Sequence, residues 1–124
     1  NNDCTVGGNL FAMADVVAYA SDERLKANIR PISGSPLEDV CRLRGVRFEW
    51  RDDTPQPMRG TDVGLVAQDV ASIIPEAVRP APFDMEAREG YLTVDCGNKV
   101  TALLVEAVKE LSHRLRLLEE ANVV

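Results

Sequence analysis

The stretch KVTALLVEAVKELSHRLRLLEEA, residues 99–121, decides most of the fold. Leu104, Val108, Leu111, Leu115, Leu118 and Asn122 step by four and three, which keeps them on one side of a helix. Glu106, Lys109, Glu110, Arg114, Arg116, Glu119 and Glu120 flank that stripe with charge. The spacing is that of a heptad seam and predicts self-association as a coiled coil. Three heptads are short, so a helix packed against its own domain is the alternative. Leucines just off the seam, Leu103 and Leu117, widen the apolar face and favour more than two helices.

Upstream of that helix the chain reads as short mixed elements. Tyr91-Leu92-Thr93-Val94 alternates as a strand, and Asp95 to Asn98 turns the chain. Arg79 to Glu89, with Pro80 and Pro82, reads as an excursion from the core. Ala67 to Ile74 is a short helix closed by Pro75, and Val63-Gly64-Leu65-Val66 before it is a short strand or a helix entry. Val46-Arg47-Phe48-Glu49-Trp50 alternates strictly, as a half-buried strand does, and Asp52 to Gly60 is a loop. Ser35 as N-cap and Pro36 at the first helical position start a helix running to Leu43, with Leu37, Val40 and Cys41 inward and Gly45 beyond its end. The expected fold class is α+β, short strands and helices followed by one long helix.

The first twenty residues differ from the rest. Gly/Asn turns lead to Leu10-Phe11-Ala12-Met13 and Val16-Val17-Ala18-Tyr19, which read as short strands that cannot form a core alone. The segment is read as the end of an upstream β-rich partner, or as a strand pairing across subunits. The chain begins at Asn1 and is read as a fragment of something longer.

Between leader and body lies Ser21-Asp22-Glu23-Arg24-Leu25-Lys26-Ala27-Asn28-Ile29. It holds the one pair that suggests covalent chemistry, a serine and a lysine five residues on. On a continuous helix five residues are about 140° apart around the axis, so the two would not share a face. They meet if Ser21 caps a helix from outside, Asp22 and Glu23 form its acidic first turn, and Lys26 lies one turn on. A serine hydroxyl needs a base, and a lysine serves when desolvation disfavours its charged form. The plainer reading is a capped helix with a solvated lysine.

Composition narrows the classes. With 124 residues, 45% hydrophobic, 27% charged and 5% aromatic, the chain is one domain whose core rests on aliphatic residues. A net charge of -6 without a basic run argues against nucleic acid and anionic membranes. No stretch of 18 apolar residues is present, so no membrane partner is expected. Cys4, Cys41 and Cys96 are odd in number and widely spaced, and His113 is the one histidine. Neither a metal site nor a Ser-His-Asp triad is expected from them. Three reduced cysteines suggest folding in a cytoplasm.

Five pieces appear in one order over residues 21–124: S-D-E-R-L-K-A-N-I, F-E-W, G-L-V-A-Q-D-V with P-E-A-V, L-T-V-D, and L-L-V-E-A-V-K-E-L. Together they resemble the C-terminal intramolecular chaperone domain of phage tailspikes and tail fibres, the endosialidase-type autoprocessing domain, which is related to that of the myelin regulatory factor. The resemblance implies a homotrimer with a helical core that guides an upstream passenger of the same chain and then cuts itself off. Residues 1–20 would be the passenger's stem and 21–124 the chaperone. Ser21 would be the nucleophile and Lys26 its general base. Asp22, Arg24 and Asn28 match the same motif and would order the junction; Gly64, Ala67 and Gln68 match a second motif, read as structural. Assembly would take place in the host bacterial cytoplasm, the passenger ending in the virion tail and the released domain absent from the mature particle.

The chemistry expected on that basis is specific. Ser21 Oγ reaches the Ala20 carbonyl through a five-membered ring, whereas its own carbonyl would need a strained four-membered one. The expected scissile bond is therefore Ala20–Ser21, cut through an ester that water hydrolyses. A neighbouring subunit's serine acting in trans would move the cut by one residue. No cofactor or metal is called for.

Overall fold

The computed structural model describes residues 2–18, 20–54, 58–82, 90–95 and 97–122. Tyr19, Cys96, the prolines of the 52–60 loop and most of the 79–89 excursion lie outside the described residues. Helix α1 spans Pro36–Cys41, strand β1 Val46–Glu49, β2 Thr61–Gly64, helix α2 Ala67–Ala71, β3 Val78–Pro80, β4 Leu92–Val94 and helix α3 Lys99–Ala121. Two 3-10 turns, Glu23–Leu25 and Pro75–Ala77, complete the order. The architecture is the expected α+β, with short strands and a long C-terminal helix.

Local chemistry explains the boundaries. Ser35 Oγ accepts from the Glu38 backbone N–H and Pro36 fills the first helical position, so α1 starts where its cap dictates. It ends at Cys41, not Leu43, and Cys41 is exposed rather than inward; Leu37 and Val40 are half-buried. A helix this short covers only the face it presses on α3, and Cys41 is turned away from it. Strands β1 and β2 form an antiparallel hairpin with Val46 opposite Gly64 and Glu49 opposite Thr61. Trp50 N donates to Gly60 O at 2.9 Å, carrying the ladder one step past β1. Phe48 and Trp50 pack edge to face, with centroids 5.0 Å apart.

Helix α2 is regular only to Ala71. Beyond it Ile73 and Ile74 still bond back to Val70 O, at 3.0 and 2.8 Å, before Pro75 ends the run. Strand β3 was not predicted. It pairs antiparallel with β4, Val78 opposite Val94 and Pro80 opposite Leu92, so part of the expected excursion is sheet. A two-stranded sheet consists of edges, which is where a proline's missing N–H is tolerated. The ladder continues on both sides: Asp95 N donates to Ala77 O at 2.7 Å and Ala81 N to Tyr91 O at 2.8 Å.

No strand forms among the described residues of 1–20, contrary to the expectation there. Every one of them is exposed. A strand needs a neighbour to take its N–H and C=O groups, and one chain offers this leader none.

The core is small. Val70 of α2, Ala77 of the second turn, and Leu103 and Ala107 of α3 are its buried aliphatic side chains among the described residues, and Pro36 of α1 is buried as well. Helix α3 lies along α1 and touches the second turn, and Leu103, its largest fully buried side chain, anchors it in the core. Leu103→Ala should destabilise the fold by about 2–5 kcal/mol, the range for deleting a fully buried leucine. Urea unfolding at fixed protein concentration measures it, and a loss under ~1 kcal/mol would remove Leu103 from that role.

Two polar clamps fix α3. The first is made by Glu110, which accepts from Ser35 Oγ at 2.7 Å and Leu37 N at 3.2 Å and pairs with Arg114. A carboxylate from α3 thus sits at the N-terminus of α1, where the helix favours negative charge. The Ser35 hydrogen bond holds the Glu110 carboxyl below its ordinary value of 4.5, and Leu37 and Arg114 add to this against some desolvation. Such a group contributes stability that is present above its unfolded pKa and lost as the pH falls through the lower folded one. Between pH 6 and pH 3, the urea midpoint of the wild type should therefore drop more than that of Glu110→Gln, most of it below 4.5. Parallel curves for the two would show that this carboxylate adds nothing in acid. The second clamp is Asp95, with a side chain only 4% exposed. Its Oδ2 accepts from Lys99 Nζ at 2.9 Å and Arg79 Nε at 3.0 Å, and its Oδ1 from Gly97 N at 3.0 Å. This pins β3 and β4 to the start of α3.

On the face next to the one clamped in this way, α3 is bare. Leu104, Val108, Leu111, Leu115 and Leu118 are 43%, 63%, 53%, 53% and 64% exposed. The first four follow Leu103, Ala107, Glu110 and Arg114 by one residue, about 100° round the axis. One face of the helix serves its own domain and the next is unoccupied. The accessible surface, 10488 Å², also exceeds the roughly 6,600 Å² of a compact monomer of this mass.

Candidate functional site at the leader junction

Ser21 and Lys26 meet. Lys26 Nζ lies 2.7 Å from Ser21 Oγ, and both residues are exposed in the single chain. An ammonium donates to Oγ at this distance and a neutral amine accepts from it, so the spacing serves both protonation states.

The route to that contact differs from the expected one. Ser21 is not an N-cap and Lys26 is not on a helix. Asp22 is the cap: its Oδ1 accepts from Arg24 N at 2.8 Å, and the helical stretch is one 3-10 turn, Glu23–Leu25. Leu25 N donates to Asp22 O at 3.0 Å and Lys26 N to Glu23 O at 3.1 Å. Lys26 closes the turn in an extended conformation, φ -115° and ψ 145°. A longer helix has no support here, because none of the turn's residues is buried and nucleating a helix without packing is unfavourable. Asn28 then takes the left-handed conformation, φ 55°, which asparagine tolerates better than most residues. Arg30 Nη1 donates to Asn28 O at 3.0 Å.

Arg24 grips Asp22 a second time through its side chain. Its Nε lies 3.1 Å from Oδ1 and its Nη2 2.9 Å from Oδ2. The guanidinium, helped by the Arg24 backbone N–H, holds the Asp22 carboxyl below its usual range, and the carboxylate raises Arg24 in return.

Lys26 also lines an open groove of about 750 Å³, with Asn28, Arg30, Asp39 and Glu76 among its polar walls and Ile29, Ile73 and Leu103 among its apolar ones. Leu25 and Ile29, beside the pair, are 71% and 67% exposed. Ala20 is exposed, which leaves the Ala20–Ser21 bond accessible. Of the second motif, Gly64 ends β2 opposite Val46, Ala67 opens α2, and Gln68 is exposed on it. None of these three lines the groove.

Sequence reasoning missed the Asp22 cap, the Glu110 clamp and the Asp95 junction. Two had a local signal. Asp95 and Lys99 are four apart across a helix start, and Asp22 is a favoured cap residue one place after the serine. Glu110 reaching α1 had none, since that contact spans most of the chain.

Comparison with known proteins adds a family. Residues 21–79 match a peptidase family model described as the chaperone of endosialidase, and the match begins at Ser21. The long tail fiber protein Gp37 of Enterobacteria phage K3 is 37% identical over 118 residues, covering 90% of this chain and 9% of that protein. The Gp37 of Enterobacteria phage T2 is 37% identical over 118 residues, covering 90% of this chain and 8% of that protein. The Gp37 of Enterobacteria phage M1 is 32% identical over 104 residues, covering 83% and 40%. The chain thus spans less than half the length of each of these relatives.

Proposed function

We propose that this chain, which belongs through residues 21–79 to the chaperone-of-endosialidase family, trimerises to template an upstream tail-fibre segment and then releases itself by cutting Ala20–Ser21. Residues 1–20 are the end of the passenger and 21–124 the chaperone. The observation that carries the proposal is the 2.7 Å contact between Lys26 Nζ and Ser21 Oγ, next to an exposed leader and at the first residue of the family match.

The reaction runs in two steps. Lys26, as the neutral amine, takes the Ser21 hydroxyl proton while Oγ bonds to the Ala20 carbonyl carbon. The tetrahedral intermediate collapses with loss of the Ala20–Ser21 C–N bond, and the proton passes to the departing Ser21 amine. Water then hydrolyses the Ala20 ester, leaving a carboxyl group on Ala20 and restoring the Ser21 hydroxyl. Both side chains are exposed in the single chain, whereas a general base has to shed its proton first. Neighbouring copies packed round the junction would exclude water and disfavour the ammonium, so cutting would follow assembly.

The release has a physical purpose. A passenger folded on a template sits behind a high barrier once the template is gone, and its persistence becomes kinetic. The setting is virion assembly in a bacterial host, with the passenger kept in the tail.

The free stripe on α3 also supports an assembly module without chemistry, in which the serine is only a junction residue. Intact mass under denaturing conditions separates the two readings. Autoproteolysis gives two fragments split between Ala20 and Ser21, and one whole chain in Ser21→Ala. A wild type that stays whole in a trimer leaves the assembly module alone.

A further inference from the structure

We infer that Asp22 is a positioning residue for the Ser21–Lys26 pair and acts through the turn that it caps. Residues five apart are separated by about 17 Å in an extended chain and point to different faces on a helix. Only a tight turn between them closes that gap. The turn present has two backbone bonds, Leu25 N to Asp22 O and Lys26 N to Glu23 O. Both depend on Asp22 and Glu23 staying folded over Arg24.

The rest of the fold buries none of this turn's residues. What fixes it is the Asp22 carboxylate. Oδ1 takes the Arg24 backbone N–H, and the two oxygens together take the Arg24 guanidinium. The bidentate pair is exposed and adds little by itself, so the backbone cap is the main restraint. The serine–lysine contact is therefore built by residues 21–26 and exists in one chain before any copies assemble. Assembly has to supply the dry surroundings, not the contact.

The test uses the full chain as wild type, Asp22→Ala and Asp22→Asn. Asparagine keeps an Oδ1 acceptor and is as good an N-cap as aspartate, whereas alanine has none. Two readouts are taken: nuclear Overhauser contacts between the Ser21 β-hydrogens and the Lys26 ε-hydrogens, and the half-time of chain cutting. The contacts should vanish in Asp22→Ala and return in Asp22→Asn. Cutting should slow roughly three- to thirtyfold in the alanine variant, the scale of a lost cap, with native mass unchanged. The slowing rests on the autoproteolytic reading above; the contacts do not. A wild type that shows the contacts without being cut, with the same loss and return, upholds the positioning role and removes the protease. Contacts as strong in Asp22→Ala as in the wild type, or absent from the wild type, overturn the inference.

Discussion

Ser21→Ala should leave every chain whole, however long the assembled protein is incubated. No other nucleophile is held against the Ala20 carbonyl by a ring of five members, so the substitution removes the route itself and not a contribution to it. Lys26→Ala should come close to the same result. A positioned general base is worth about 10²–10⁴ in rate, enough to turn cutting in minutes into cutting in days. Lys26→Arg is the sharper version. It keeps the positive charge and can still donate to Ser21 Oγ, yet a guanidinium does not give up its proton in a protein. If the arginine chain is cut at the wild-type rate, Lys26 is a structural partner of the serine and not its base. Both variants should assemble normally, because the pair lies outside the small core of Val70, Ala77, Leu103 and Ala107. Intact mass gives the cut and native mass the assembly, so a variant that merely fails to fold is recognised at once.

What could be read from the sequence follows the range of the interactions involved. The long helix was legible over its whole length, Lys99–Ala121, because helical periodicity is written into neighbouring residues. The start of α1 was legible for the same reason, through Ser35 and Pro36. Strand β3 was hidden. Its sequence carries Pro80, and only the pairing with Leu92, across an intervening stretch, makes an extended conformation worthwhile. The serine and lysine were legible as a pair, but the means of joining them was assigned to the wrong residue. Either Ser21 or Asp22 is a good cap by type, and the choice fell to Arg24, whose backbone and guanidinium both bind the aspartate. The leader shows the opposite limit. Its β-branched run has strand propensity, yet propensity forms no strand without a partner edge.

Charging the bare stripe of α3 should abolish assembly and, with it, cutting. Leu111→Glu combined with Leu115→Glu is the test, since both side chains are half-exposed in the single chain and neither belongs to its core. Glutamate keeps good helix propensity, so α3 survives the change. In an associated helix bundle, however, each copy would bury two carboxylates without partners, which costs more than burying the leucines contributes. Native mass should fall to that of one chain, and far-ultraviolet circular dichroism should keep its helical signal. His113→Glu, an exposed position on the same helix away from the stripe, adds negative charge and should leave the native mass unchanged. The decisive observation is what happens to chain length in the double variant. The 2.7 Å contact between Ser21 and Lys26 is made within one chain, so loss of assembly leaves the pair itself in place. If cutting stops all the same, the missing ingredient is the water-excluding environment that neighbouring copies provide. If monomeric chains are cut as fast as assembled ones, the dyad is autonomous, and self-release is not a checkpoint on the passenger's folding.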